Sequence, residues 1–255
     1  VILDKMLNSS EIAWEDVNLV KQKELYNEIK GFNEYQSNDG VNVPRVTEVL
    51  SAMLHEDFLM KWSNSLGFKK ISYDRFMKAA ADKGTYSHYV IEQFLKYGKT
   101  IKDCDIPDMY IDTVRSTFSG FRYWWKDLND NHDVELVFSE EKLISNYFGG
   151  TCDCVLKVDG EYWLIDFKTS NHMNFKYCLQ LAAYRDLLKT LRGIEISKTV
   201  VLLLDKTDGC YREYVLDLKD PTHLAYIDDC TNLFYGLVYG YVERLRLLSA
   251  YKEIF

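Results

Sequence analysis

The sequence predicts a mixed α/β (α+β) domain with one central sheet and a helical N-terminal third. Two observations carry that prediction. Apolar residues recur at helical spacing up to about residue 128, and from Val134 they recur at the alternating spacing of strands. The 255 residues are 47% apolar and 15% aromatic with 13 Gly and 3 Pro, which supplies a full core and excludes a disordered or collagen-like chain.

The elements follow in order. The first ~40 residues are acidic and amphipathic (Ile12, Trp14, Val17, Val20, Leu25, Ile29) and read as helical, ending at Gly31. Gly40 to Pro44 is a break. Thr47 opens a helical stretch carrying Val49, Leu50, Met53, Leu54 and Leu59. Helical patterns follow over about 72–82, 85–97 and 107–128, the last holding Phe118, Phe121, Tyr123, Trp124 and Trp125. Val134–Phe138, Leu143–Phe148, Cys152–Val158 and Tyr162–Phe167 read as strands, with Asp159-Gly160 as the hairpin turn between the last two. A helix from about Phe175 to Leu191, strands over Thr199–Leu204 and Tyr211–Leu216, and a helix from Pro221 complete the chain. The expected organisation is a helical part over 1–130 and a core over 131–255 with its C-terminal helix, forming one compact unit.

Charge narrows the function classes. The net charge is −8, yet residues 61–102 hold nine basic and three acidic residues, so that segment is +6 and the remainder −14. Such a segment suits either a face for a polyanion or a solvated helical surface. The longest aliphatic run, Val200–Leu204, is far too short to span a bilayer, so no membrane partner is expected. Charge at Asp4 and Lys5 stands where a secretory leader would be apolar. Six cysteines at 104, 152, 154, 178, 210 and 230 form no CxxC pair and read as free thiols.

The chemistry concentrates where the hairpin ends. Asp166 and Lys168 are two apart on a strand and share a face, beside Asp153 of the partner strand. Two carboxylates and an ammonium suit metal-assisted phosphodiester hydrolysis: Mg²⁺ or Mn²⁺ between the carboxylates, and lysine charge for the transition state. The acid-x-lysine pattern alone is weak, because Glu28/Lys30, Glu140/Lys142 and Asp217/Lys219 repeat it. Asp217/Lys219 also ends a strand, but runs into Asp220-Pro221. Asp166 is instead followed by a helix with Gln180 and Tyr184 one turn apart.

Gly150-Thr-Cys-Asp153, Ile165-Asp-Phe-Lys-Thr-Ser170 and Gln180-Leu-Ala-Ala-Tyr184 stand in the order G-x-x-D, (D/E)-x-K, Q-x-x-x-Y, with Gly84-Thr-Tyr-Ser-His88 upstream. In this the chain resembles the RecB-like branch of the PD-(D/E)XK nucleases. Val43-Pro-Arg-Val-Thr-Glu-Val-Leu50 is similar to the entry segment of the mitochondrial genome-maintenance exonucleases and their phage relatives. The resemblance spans about 43–190 and implies a restriction-endonuclease-like core, a central mixed sheet flanked by helices. It implies that His88, Asp153, Asp166 and the Phe167 backbone carbonyl hold Mg²⁺ or Mn²⁺, that Lys168 is catalytic, and that Gln180 and Tyr184 orient it or contact DNA. Glu135 is expected at most to support the site, and Glu92 is open between a ligand, a partner of His88 and a solvated salt bridge. Relatives with an iron–sulfur cluster carry closely spaced cysteines; Cys178, Cys210 and Cys230 are scattered, so no cluster is expected.

The implied activity is an exonuclease on single-stranded DNA or DNA ends in replication, repair or recombination, leaving 5′-phosphates and 3′-hydroxyls. The helices before the core would arch over the site and admit the strand. A structure-specific endonuclease on the same fold and a non-catalytic DNA-binding module remain alternatives. Tyr123, Trp124 and Trp125 are read first as core and second as a platform for unpaired bases. The terminal helices are candidates for protein partners. The implied location is intracellular, in the cytoplasm, a phage-infected host or a mitochondrial matrix.

Overall fold

The computed structural model describes residues 35–40, 42–54, 68 and 72–254. Its helices are α1 (Val46–Met53), α2 (Tyr73–Tyr97), α3 (Asp108–Asn131), α4 (Phe175–Arg192) and α5 (Pro221–Ile254). Its strands are β1 (Val134–Ile144), β2 (Gly149–Val158), β3 (Glu161–Lys168), β4 (Ile196–Leu204) and β5 (Tyr211–Asp217), paired in that order in one sheet. β3 and β4 run parallel while the other neighbours are antiparallel, so the sheet is mixed. A parallel pair needs a crossover, and α4 supplies it.

Alternation along the strands feeds two apolar layers. Val155, Leu164, Val201 and Leu203 face α1, α4 and α5; Leu156, Ile165, Phe167, Val200 and Leu202 face α2 and α3. Phe121 and Trp124 of α3 pack edge-on against Phe167. Both sheet faces are therefore covered, which is the central mixed sheet flanked by helices that was expected. α1 joins α4 and α5 on one face of the sheet while α2 and α3 cover the opposite face. No helix among the described residues is long and apolar enough to cross a membrane.

Asp159 and Gly160 both adopt positive φ, 50° and 87°, the conformation that a two-residue hairpin of the sheet's twist requires. Two expectations are corrected. The patterns over 72–82 and 85–97 belong to one helix, α2, capped by the Ser72 hydroxyl at its start and by left-handed Gly98 at its end. Gly84 costs about 1 kcal/mol of helix propensity, but buried Ser87, Val90 and Ile91 hold the helix down on the sheet layer. The strands expected over 134–138 and 143–148 are one strand, β1, carrying a register shift between Leu136 and Phe138 and positive φ at Glu140. Between the two expected strands, Ser139, Glu141 and Lys142 pair with β2. The helix expected before Gly31 lies outside the described residues, as do Leu59, Lys61, Lys69 and Lys70.

Candidate active site

Three adjacent strands each deliver one carboxylate at the same level of the sheet. β3 presents Asp166 and β2 presents Asp153, whose Oδ2 accepts the Phe167 backbone N–H at 2.7 Å. On β1, Ser139 pairs with Cys154 and Glu141 with Cys152, so Glu140 lies opposite Asp153. α2 brings His88 to the same corner, its ring edge-on to Phe167 with centroids 6.1 Å apart.

His88 Nδ1 lies 3.4 Å from Glu140 Oε1 and 3.5 Å from Asp153 Oδ1. One donor atom from each of these three residues falls within 4.8 Å of the others, an arrangement able to hold a metal ion. Burial by itself lowers the imidazole pKa, but Asp153 and Glu140 override it and hold it up at about 10. One imidazole nitrogen and two carboxylates fit a divalent ion such as Mg²⁺ or Mn²⁺ in the chemistry of their donors.

Beside the triad stands a second set. Lys168 Nζ is 2.8 Å from each Asp166 oxygen, with hydrogen-bond geometry to Oδ1 alone; Oδ2 is buried without a hydrogen-bond partner. Burial pushes the Asp166 carboxyl up, against the pull of Lys168. Lys168 also donates to Gln180 Oε1 at 3.1 Å, and Gln180 Nε2 donates to Tyr184 Oη at 3.4 Å. The i, i+4 spacing on α4 makes that last contact. The Tyr184 ring lies so close to β2 that a Cβ on Gly150 would stand 2.5 Å from its Cε1. A glycine three residues before Asp153 thus has a packing reason: it admits the ring that orients Gln180.

His88, Asp153, Asp166, Lys168, Gln180 and Tyr184 are therefore gathered at one corner. Asp166 faces Lys168, beside the donor set of His88, Glu140 and Asp153. Phe167 takes part through its N–H on Asp153. Glu135, the strand glutamate singled out from the sequence, is exposed and pairs in register with Lys157. Glu140 was passed over as one of the repeated acid-x-lysine patterns. Its only sequence signal is its place opposite Asp153, which requires the register of β1. Glu92 bonds Lys96 at 2.6 Å and, with Gly84, Thr85, His88, Tyr89 and Glu140, lines a cleft of about 390 Å³. Trp124 is core and 2% exposed, Trp125 is half-buried, and Tyr123 is exposed. Cys178 and Cys230 are buried whereas Cys210 is exposed.

Neither a family model nor a curated protein matches the chain. Among solved structures it is similar to an alkaline exonuclease from Laribacter hongkongensis, at 14% identity over 82% of this chain and 93% of that one, with a TM-score of 0.34. It is also similar to a phage-related exonuclease from Haemophilus somnus, at 11% identity over 86% and 98% of the two chains, again with a TM-score of 0.34. Likeness at this level carries no argument about activity, which rests on the geometry of the site.

Proposed function

We propose that the protein is a divalent-metal-dependent nuclease, an exonuclease that hydrolyses phosphodiester bonds of single-stranded DNA or of DNA ends. The observation that carries this reading is the convergence of His88, Glu140 and Asp153 on one point, next to the Asp166–Lys168–Gln180 network. His88, Glu140 and Asp153 would hold Mg²⁺ or Mn²⁺, with Asp166 beside them. When bound, the ion neutralises phosphate charge and lowers the pKa of water. An ammonium has three protons, and the bonds to Asp166 and Gln180 use two of those on Lys168. The third is available to a phosphate oxygen as charge develops there. Gln180, held by Tyr184, fixes the ammonium in that pose before substrate arrives, and Asp166 Oδ2 adds a buried acceptor.

The test is degradation of end-labelled linear single-stranded DNA in Mg²⁺ or Mn²⁺, beside EDTA, a circular single strand and the Lys168→Ala variant. Metal-dependent loss of the linear strand, with the circle spared and the variant inert, is expected. Cutting of the circle replaces the exonuclease with an endonuclease. Tight DNA binding with no cleavage in either metal leaves a binding module.

A further inference from the structure

Outside the site, two lysines that are distant in sequence meet at one corner, and three contacts bring them there. The Ser87 hydroxyl donates to Lys83 O at 2.9 Å and bonds Thr117 Oγ1 at 2.8 Å, tying this turn of α2 to α3. The residue before Thr117, Ser116, donates to Asp205 O at 3.2 Å, which ties the β4–β5 loop to α3 just before Lys206. On the other side of Lys83, a Cβ on Gly84 would lie 3.7 Å from Thr169 Oγ1, and Thr169 directly follows Lys168. The corner is thus bounded by α2, the β4–β5 loop and the end of β3.

The carboxylates nearest in sequence spend their hydrogen bonds on other groups, although the Asp205 charge still acts on Lys206. Asp82 accepts the Tyr110 hydroxyl at 2.9 Å. Asp205 Oδ1 accepts Thr207 N at 2.8 Å, Thr207 Oγ1 at 2.7 Å and Asp208 N at 3.3 Å, while Asp208 Oδ1 accepts Cys210 N at 2.8 Å. These bonds also stiffen the loop that carries Lys206. Neither Lys83 nor Lys206 has an ion-pair partner among the described residues. Burial of the Lys206 ammonium and the nearby charge of Lys83 push its pKa down, against the pull of Asp205. Like charges brought together, one of them half-buried, cost free energy that an anion between them relieves.

On the nuclease reading, on which this inference rests, we propose that Lys83 and Lys206 together bind a backbone phosphate of the nucleic-acid strand whose neighbouring phosphodiester lies at the metal site. Lys83 precedes His88 by five residues on one helix, about 7.5 Å along its axis. A phosphodiester presents two free oxygens, one for each ammonium. The strand therefore leaves the site past Thr169 toward the β4–β5 loop, between the two apolar layers.

The test uses the full chain and a labelled single-stranded oligonucleotide in EDTA, with affinity measured by fluorescence anisotropy over a salt series. The Lys83→Met/Lys206→Met variant is expected to bind about tenfold more weakly. Its salt slope should be shallower by about 0.7, the value for one phosphate of a single strand. The Lys83→Arg/Lys206→Arg variant should keep both. Mn²⁺ titration calorimetry on each variant should match the unmodified protein and so shows that the fold and metal site are intact. If the double variant fails that control, the single Lys83→Met on the helix surface decides, with a loss of about threefold or more expected and an unchanged affinity counting against the site. Unchanged affinity and slope in the double variant, while the unmodified protein still cleaves, sinks the lysine pair alone. An unmodified protein that neither binds nor cleaves nucleic acid sinks the pair and the nuclease reading together.

Discussion

Two strand ends in this protein carry the same three-residue pattern and have opposite surroundings. Asp166-Phe-Lys168 ends β3 and Asp217-Leu-Lys219 ends β5 and its following turn, and each has an aspartate upstream, Asp153 or Asp205. β3 is flanked on both sides, by β2 and β4, whereas β5 is an edge strand. Asp166 is 1% exposed and shares Lys168 with Gln180. Lys219 instead pairs with Glu161 across the surface, and Asp217 lies 3.9 Å from Lys198. Surface pairs of that kind are worth about 0–1 kcal/mol. What separates the two is the number of elements that converge: β1, β2, β3, α2 and α4 meet at Asp166. Their packing strips water from charges that then act on one another strongly.

The largest effect should come from exchanging lysines across this comparison. Lys168→Met is expected to reduce cleavage about 10²–10³-fold, as loss of a preorganised transition-state donor does. Lys219→Met should cleave like the unmodified protein. Equal damage from both would show that the pattern matters and its burial does not.

The two glutamates of β1 sharpen the comparison at the level of the metal. Glu140→Gln should weaken Mn²⁺ binding about 10–100-fold by calorimetry, because it removes one of the three converging donors. Glu135→Gln, on an exposed position five residues earlier, should leave the affinity unchanged. A loss of metal binding from Glu135→Gln would reverse the assignment.

The smallest effects concern two glycines. In Gly150→Ala the new methyl meets Tyr184 at 2.5 Å, between strand and helix backbones that are both packed. The expected cost is about 1–3 kcal/mol, read as a lower Tm, together with reduced activity as the ring displaces Gln180. Gly236 sits in α5 with nothing within 4 Å of a Cβ. Gly236→Ala should raise stability by about 0.5–1 kcal/mol. A Gly150→Ala protein as stable and active as the parent would remove Tyr184 from the network.

Local pattern made much of this molecule legible in the chain. The shared face of Asp166 and Lys168, the i, i+4 contact of Gln180 with Tyr184, the Asp159-Gly160 turn and the doubly buried run Val200–Leu204 all follow from periods of two and 3.6 and from turn chemistry. Where local propensity misled, longer-range packing had won. The separate helical patterns over 72–82 and 85–97 join because buried Val90 and Ile91 anchor α2, and the strands expected over 134–138 and 143–148 join because Ser139, Glu141 and Lys142 pair with β2.

The sequence by itself determined the order of helices and strands and which residues share a face, because those depend on backbone geometry within a few residues. Only the tertiary structure decided that Glu140 stands opposite Asp153, that Asp166 turns to Lys168, and that the turn of Lys83 and the loop of Lys206 come to the same stretch of α3. Each of those depends on the register of one element against another. That register is set by how two distant apolar surfaces fit, which no short stretch of sequence contains.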